Sequence, residues 1–552
     1  MDAPAVVAFG VSADFNTESV SSCDVIAVHL DIQQRTPGYN RGPTSETKGW
    51  LPTMSWLGPQ ADVSESQLHR GLRSLLYDGM CSQVMGTLTG GAFLVAFALL
   101  LGASNTVIGL IAAVGPLAQI LQIPAIYLVE KARLRKVLVV SSSFLSRLFW
   151  LVIAGLPWFA PESVRVPMFM AALFLYFGLG AVSGCAFNSW MRDLIPEGIM
   201  GRYFARRLAI SIALGAGLSL MAGIGVDYYE KIGEKAIGAY SILFVFGAAA
   251  GLLGVYSLSR IPEPRMAPAQ PQGLWQLLTE PFRDYNFRRL VLFLGSWNFA
   301  VNMAGPFFVV YMLRRLDMSM TWIMVLAVGG QFVNVAFLRI WGTLADRFTN
   351  KSVLSVSGPL FILVIAIWPF TTLPDRWVLT IPLLVAIHVL SGISTAGVTL
   401  ATGNIALKLA PRGKATAFLA TNALVSGLAA TVAPILGGIF ADFFADRQLN
   451  LTLNWFSQSG IEETFRLHAL DLKGLDFVFG ISFLLGLYAW HRLLGVREEG
   501  EVEEAVVITE FYAEVRKAVR NISNVAGLRH LTYFPYMRLR QLVVQISTRS
   551  SR

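Results

Sequence analysis

Charge is scarce in this chain. Only 14% of its 552 residues are Asp, Glu, Lys or Arg, against about 25% in an average soluble domain, and soluble domains filling that length could not cover themselves with so little. Cysteine and histidine are scarcer, three and six residues respectively. Cys81 and Cys185 fall in or beside apolar segments and Cys23 in a polar head, so a disulfide framework and a zinc cluster both lack ligands. The sequence has no glycine-rich loop of Walker type, which argues against direct ATP drive. It also places no nucleophile beside a base at usable spacing, so neither an enzyme nor a cofactor is expected. The first 70 residues or so are polar and Ser-rich, with no basic stretch leading into an apolar run, and do not read as a signal peptide. They predict a mobile cytoplasmic extension.

What the chain has instead is apolar length. Its 54% hydrophobic content furnishes roughly a dozen crossings at about 20 residues each. Twelve stretches recur from Leu75 onward. The first six run Cys81 to Leu101, Val107 to Val129, Val137 to Trp158, Val166 to Asn188, Leu208 to Val226 and Ile237 to Leu258. The second six run Leu290 to Tyr311, Thr321 to Ala345, Val353 to Leu373, Trp377 to Ala401, Ala417 to Phe440 and Phe477 to Leu494. The prediction is an all-α polytopic membrane protein of twelve transmembrane helices. Its expected divisions are an extension (1–73), a six-helix bundle (74–259), a Pro-containing linker (260–289), a second six-helix bundle (290–496) and a cytoplasmic tail (497–552).

The net charge of +9 is read by position, so nucleic acid is not expected as a partner. With these boundaries one set of connectors holds 18 basic residues, among them Lys131, Arg135, Arg202, Arg347 and Lys351, and the other holds 9. Positive charge collects on the cytoplasmic side, which puts both termini inside a bacterial inner or plasma membrane. The halves also repeat. Glu130 and Asp346 close the second and eighth spans and stand 216 positions apart (346 minus 130), while Pro196 and Pro411 follow the fourth and tenth spans at 215 (411 minus 196). Two landmarks agreeing to one residue indicate parallel six-helix repeats, a plan that places a binding site between the halves near the midplane.

Gly342-Thr343-Leu344-Ala345-Asp346-Arg347-Phe348-Thr349-Asn350-Lys351 resembles the inner-loop signature of the major facilitator superfamily, with Thr349 where a second glycine is usual. A weaker first-half copy ends in Glu130-Lys131, with Ile126 and Arg133 at the glycine positions. Trp190-Met191-Arg192-Asp193-Leu194-Ile195-Pro196 with Gly201-Arg202-Tyr203-Phe204 is similar to that family's loop between the fourth and fifth helices. The resemblance covers about Ser74 to Val496. It implies a transporter with two rocking six-helix halves, and an inner gate drawn from Glu130, Lys131, Gly342, Asp346 and Arg347. The alternative is a receptor or scaffold of the same fold that does not transport. The family's usual arginine is missing from the fourth span, and the Gly-Pro pattern of exporters is absent from the fifth.

Polar groups inside the spans are the candidates for a substrate site, since each is costly in hydrocarbon. Arg147 lies near the middle of the third span, where it either meets an anionic substrate or pairs with another helix. Asn298 and Asn302 are four residues apart and share a helix face. His388 carries either a proton or a structural hydrogen bond. Thr87, Gln119, Tyr176, Gln331 and Asn422 complete a largely neutral set, whose alternative role is interhelical hydrogen bonding. Asp78 precedes the first span with its role open, and the segment from Asp442 to Asp476 is placed over the external mouth. An amphipathic stretch near Phe511 to Val519 either lies on the bilayer or is solvated. The expected partners are the lipid bilayer, a small-molecule substrate and protons or another coupling ion, for a monomer.

Overall fold

The computed structural model describes residues 58–60, 63–233, 235–266, 279–372, 377–410, 415–456 and 463–526. Most of the N-terminal extension, the middle of the linker and the end of the tail lie outside them. Apolar runs of this length become helices because hydrocarbon offers no partner for a backbone amide, so each segment must satisfy its own. Eleven helices among the described residues are long and apolar enough to cross a bilayer, and one bent pair makes a twelfth. We number them span 1 (Glu65–Leu100), span 2 (Asn105–Gln119 and Gln122–Ala132), span 3 (Arg135–Phe159), span 4 (Glu162–Leu194), span 5 (Glu197–Lys231) and span 6 (Ala236–Ser259). The second half contributes span 7 (Tyr285–Arg315), span 8 (Met320–Arg347), span 9 (Asn350–Thr371), span 10 (Thr380–Leu409), span 11 (Ala415–Phe444) and span 12 (Leu475–Leu494).

Each of the twelve expected stretches falls on a helix, though span 9 ends at Thr371 and span 10 starts only at Thr380, and most helices extend beyond the apolar run into polar residues at one or both ends. Span 1 begins sixteen residues before Cys81 (81 minus 65), so Asp78 belongs to the helix and does not precede it. Span 1 breaks at Gly90, where Gly91 takes the left-handed φ of 53° that an L side chain resists. Span 2 bends by 42° between its two segments. Pro124 there has no amide hydrogen to return to the preceding turn.

Each half packs chiefly within itself: span 1 against 5 and 6, span 3 against 4 and 6, span 8 against 10, and span 7 against 11 and 12. Phe97, Phe244 and Trp150 form an edge-on aromatic core in the first half, and Phe308, Trp368 and Phe479 form a stacked and tilted one in the second. Met221, Phe246, Leu253, Phe332 and Leu484 are each more than 60% exposed. A surface this apolar is suited to lipid.

We call the face where span 1 begins and span 12 ends the inner face. On the outer face, the segment joining spans 11 and 12 holds an antiparallel hairpin, Gln448–Phe456 with Glu463–Lys473, paired from Gln448 opposite Lys473. These strands depart from the all-α expectation and lie in the stretch from Asp442 to Asp476 that the sequence places over the external mouth. At the inner face a tail helix, Glu504–Ala526, is neither free in solvent nor simply laid on the bilayer. Val507 is fully buried, and Phe511 stacks on Trp341 of span 8 at 4.6 Å between centroids.

Candidate functional site

Arg147 is 5% exposed and directed into the first half's own helices. It donates to the Gly251 carbonyl of span 6, reaches Ser82 Oγ of span 1 at 3.2 Å, and lies 3.7 Å from Asp78 Oδ1. Arg207 of span 5 approaches the other Asp78 oxygen at 3.8 Å, and Ser82 donates to Oδ1 at 3.4 Å. One buried carboxylate thus stands between two guanidinium groups, tying spans 1, 3, 5 and 6 together. Buried charge demands such partners, and these contacts of Arg147 go to other helices of its own half. Gly254 is part of the same fit, since a Cβ there would lie 3.1 Å from Asp78 and 3.2 Å from Arg147.

In the second half the neutral candidates meet. Asn298 donates to the Leu294 carbonyl at 2.8 Å and to Ser426 Oγ of span 11 at 3.3 Å, and Ser426 donates to Asn422 Oδ1 at 3.5 Å. Asn302 donates to the Asn298 carbonyl at 2.7 Å. All four side chains are half-buried, giving an uncharged patch of amides and a hydroxyl on spans 7 and 11. Ser426 was missed because single serines in apolar helices carry no signal of their own.

The remaining candidates are dispersed. Thr87 is buried and accepts from Gln83 at 3.1 Å, beside Gly215 of span 5. Gln119 is exposed at the bend of span 2 and accepts from Gln122. Tyr176 presents its ring to Trp150 at 5.0 Å, and Gln331 is half-exposed on span 8. His388 is 4% exposed, with Nδ1 at 2.8 Å from the Leu384 carbonyl and its ring edge toward Trp368. It is packed inside the second half and does not join the Asn298 patch.

At the inner face Glu130 is half-exposed and Lys131 and Asp346 are exposed, and none makes an ion pair among the described residues. Arg347 donates to Glu510 of the tail helix at 2.8 Å. A Cβ at Gly342 would meet only Leu400, at 3.6 Å, so close helix approach does not require glycine there. The strong inner contacts lie elsewhere. Glu263, just past span 6, accepts from the Arg135 and Lys136 amides at 2.8 and 3.2 Å and caps span 3, while Arg135 also pairs with Asp193 of span 4. Glu498, just past span 12, accepts from the Lys351 amide at 2.8 Å and Asn350 Nδ2 at 3.2 Å, and pairs with Lys408 of span 10 at 2.8 Å. Burial pushes the Glu263 carboxyl above its ordinary range, opposed by the amides that hydrogen-bond to it.

The halves touch each other at the outer face. Span 11 packs on the outer segment of span 2, where a Cβ at Gly109 would lie 2.1 Å from the Pro434 carbonyl oxygen, and span 5 packs on span 8. Toward the inner face the second segment of span 2 packs on spans 3 and 4 of its own half.

A family model described as Major Facilitator Superfamily matches residues 79–385. Among curated proteins none matches the sequence. Among solved structures, a mutant of the nucleoside transporter NupG superposes with a TM-score of 0.58 at 12% identity, over 78% of this chain and 100% of its own. A bacterial homologue of the iron transporter ferroportin, in an inward-facing state, gives 0.57 at 11%, over 79% and 100%. A bacterial homologue of the human lysosomal transporter Spinster, inward-facing and occupied, gives 0.51 at 14%, over 82% and 98%. At these identities the likeness is one of fold.

Proposed function

Because the chain belongs to the Major Facilitator Superfamily, we propose that this membrane transporter is a secondary carrier that moves a small polar solute by alternating access between its two six-helix halves. The observation that carries the reading is the asymmetry of contact between the halves. Glycine-lined crossings join spans 2 and 11 and spans 5 and 8 at the outer face, while among the described residues the inner-face charges Glu130, Lys131 and Asp346 make no pair across the halves. This is the arrangement of a carrier closed outside and open inside, with the gate of Glu130, Lys131, Gly342, Asp346 and Arg347 disengaged. The 18-to-9 charge count supports a cytoplasmic inner face and cytoplasmic termini in a bacterial inner or plasma membrane.

The solute meets the amide patch of Asn298, Asn302, Ser426 and Asn422 on the second half. Arg147 is committed to Asp78, which removes the reason to favour anions. Ion coupling, in this reading, uses Asp78, a buried carboxylate whose protonation would loosen its hold on Arg147 and Arg207. The chain acts as a monomer in the bilayer.

Counterflow in proteoliposomes, screened over labelled nucleosides, sugars and amino acids with and without a pH gradient, tests the reading. Expected is exchange of an uncharged polar solute that falls at least tenfold in Asn298→Ala and responds to the gradient only while Asp78 is present. Absence of exchange across the screen, with distances across the inner and outer faces unchanging, would sink it.

A further inference from the structure

Asp227 lies at the outer end of span 5 and accepts from the first two amides of span 8, Met320 N at 2.9 Å and Thr321 N at 3.0 Å. Asp442 lies at the outer end of span 11 and accepts from the first two amides of span 2, Asn105 N at 2.9 Å and Thr106 N at 2.8 Å, and from Thr106 Oγ1 at 2.6 Å. Each contact joins one half of the molecule to the other. The two acids are 215 positions apart (442 minus 227), and so are their receiving amides (320 minus 105).

A glycine stands four residues before each acid, in Gly223-Ile224-Gly225-Val226-Asp227 and Gly438-Ile439-Phe440-Ala441-Asp442. A Cβ at Gly438 would lie 2.4 Å from the Asn105 carbonyl oxygen and 2.7 Å from Thr106 Cα. One at Gly223 would lie 3.3 Å from the corresponding Met320 oxygen and Thr321 Cα. The glycine lets the helix end lie against the partner's first turn, and one turn later the carboxylate reaches the amides that a helix N-terminus leaves without internal partners. The positive end of the helix dipole adds to the attraction.

We propose that Asp227 and Asp442 are paired outer clasps: each carboxylate caps a helix of the opposite half, and the two release together when the outer face opens. The repeat makes this a matched device. Opening the outer face of either crossing strips a carboxylate from its amides, so the clasps weight the equilibrium toward the outwardly closed form. The inference rests on the alternating-access reading and adds to it the groups that hold one state.

The test uses the full chain in proteoliposomes, with donor and acceptor dyes on non-natural amino acids at positions 228 and 322 across the outer face, and at 127 and 423 toward the inner face. Tyr228, Trp322, Tyr127 and Ala423 are all exposed. The Asp227→Ala, Asp442→Ala double variant is expected to raise the outwardly open population about tenfold, and either single Asp→Asn about threefold, by the usual worth of a carboxylate at a helix N-terminus. The inner distance should shorten as the outer one lengthens. If the unsubstituted chain shows both states and the variants leave their ratio unchanged, the clasps are refuted and alternating access stands. If the outer distance lengthens with no change at the inner pair, the clasps stand and the rocking motion is refuted. Where the double variant does not fold, the single asparagine variants decide, and an unchanged ratio in both overturns the proposal.

Discussion

Glu263 and Glu498 do the same work in the two halves: each follows the last helix of its half and caps the third helix of that half. Glu263 takes the Arg135 and Lys136 amides, and Glu498 takes the Lys351 amide and the Asn350 side chain. The receiving positions are 215 apart (350 minus 135), and so are Asp193 and Lys408 (408 minus 193), which complete the two clusters with opposite sign. Both halves keep the glutamate and its receiving positions, while the basic partner moves from Arg135 on span 3 to Lys408 on span 10. Each cluster binds three elements of one half at the inner face, as expected of a half that moves as a body.

The cap at Glu263 has a pH signature. Burial raises its carboxyl above the ordinary 4.5, so folding favours the protonated form. That contribution is complete below 4.5 and is lost as pH rises through the folded value. Glu263→Gln keeps an acceptor for the amides and does not titrate. Thermal unfolding of both proteins in detergent from pH 4 to 8 should therefore show the native protein losing stability relative to Glu263→Gln as pH rises. A difference that is flat across the range would contradict the assignment.

Arg147 should behave as structure. Arg147→Gln leaves Asp78 buried with Arg207 alone, and breaking a buried pair in this way costs about 3 kcal/mol or more. The loss should be read as a lowered Tm without any ligand present, and should shrink when Asp78→Asn is added, because the two changes remove one interaction. Additive losses would mean the residues are not coupled.

The close crossing of spans 11 and 2 depends on a glycine backbone. Gly438→Ala places a methyl group 2.4 Å from the Asn105 carbonyl oxygen, where only backbone movement relieves it, and is expected to cost roughly 1 to 3 kcal/mol. Gly217, also in a helix, has nothing within 4 Å of such a methyl. Gly217→Ala should be neutral or slightly stabilising, and equal Tm values for the two variants would argue against the crossing.

Asp346 is exposed and makes no ion pair among the described residues, so Asp346→Asn should leave expression and Tm unchanged. If the inner gate forms on closing, the variant slows exchange several-fold, measured as counterflow. Unaltered exchange would remove Asp346 from the gate.

The sequence by itself determined the spans, their number and the twofold repeat, because hydropathy and chain offset are local properties that need no knowledge of rotation or partner. It also contained the outer pattern, Gly223 to Asp227 repeated at Gly438 to Asp442, but offered no reason to single it out, since acids at helix ends are ordinary. Tertiary structure decided which groups meet. Asp78 looked like an interfacial acid and is the buried partner of Arg147, because span 1 runs about four turns further inward than its apolar stretch. Asn298 found Ser426 and Asn422, whereas His388 turned into the second half's packing. These choices depend on how each helix is rotated and which neighbour it faces, and helix rotation is set by packing between spans whose lipid-facing and protein-facing surfaces are both apolar.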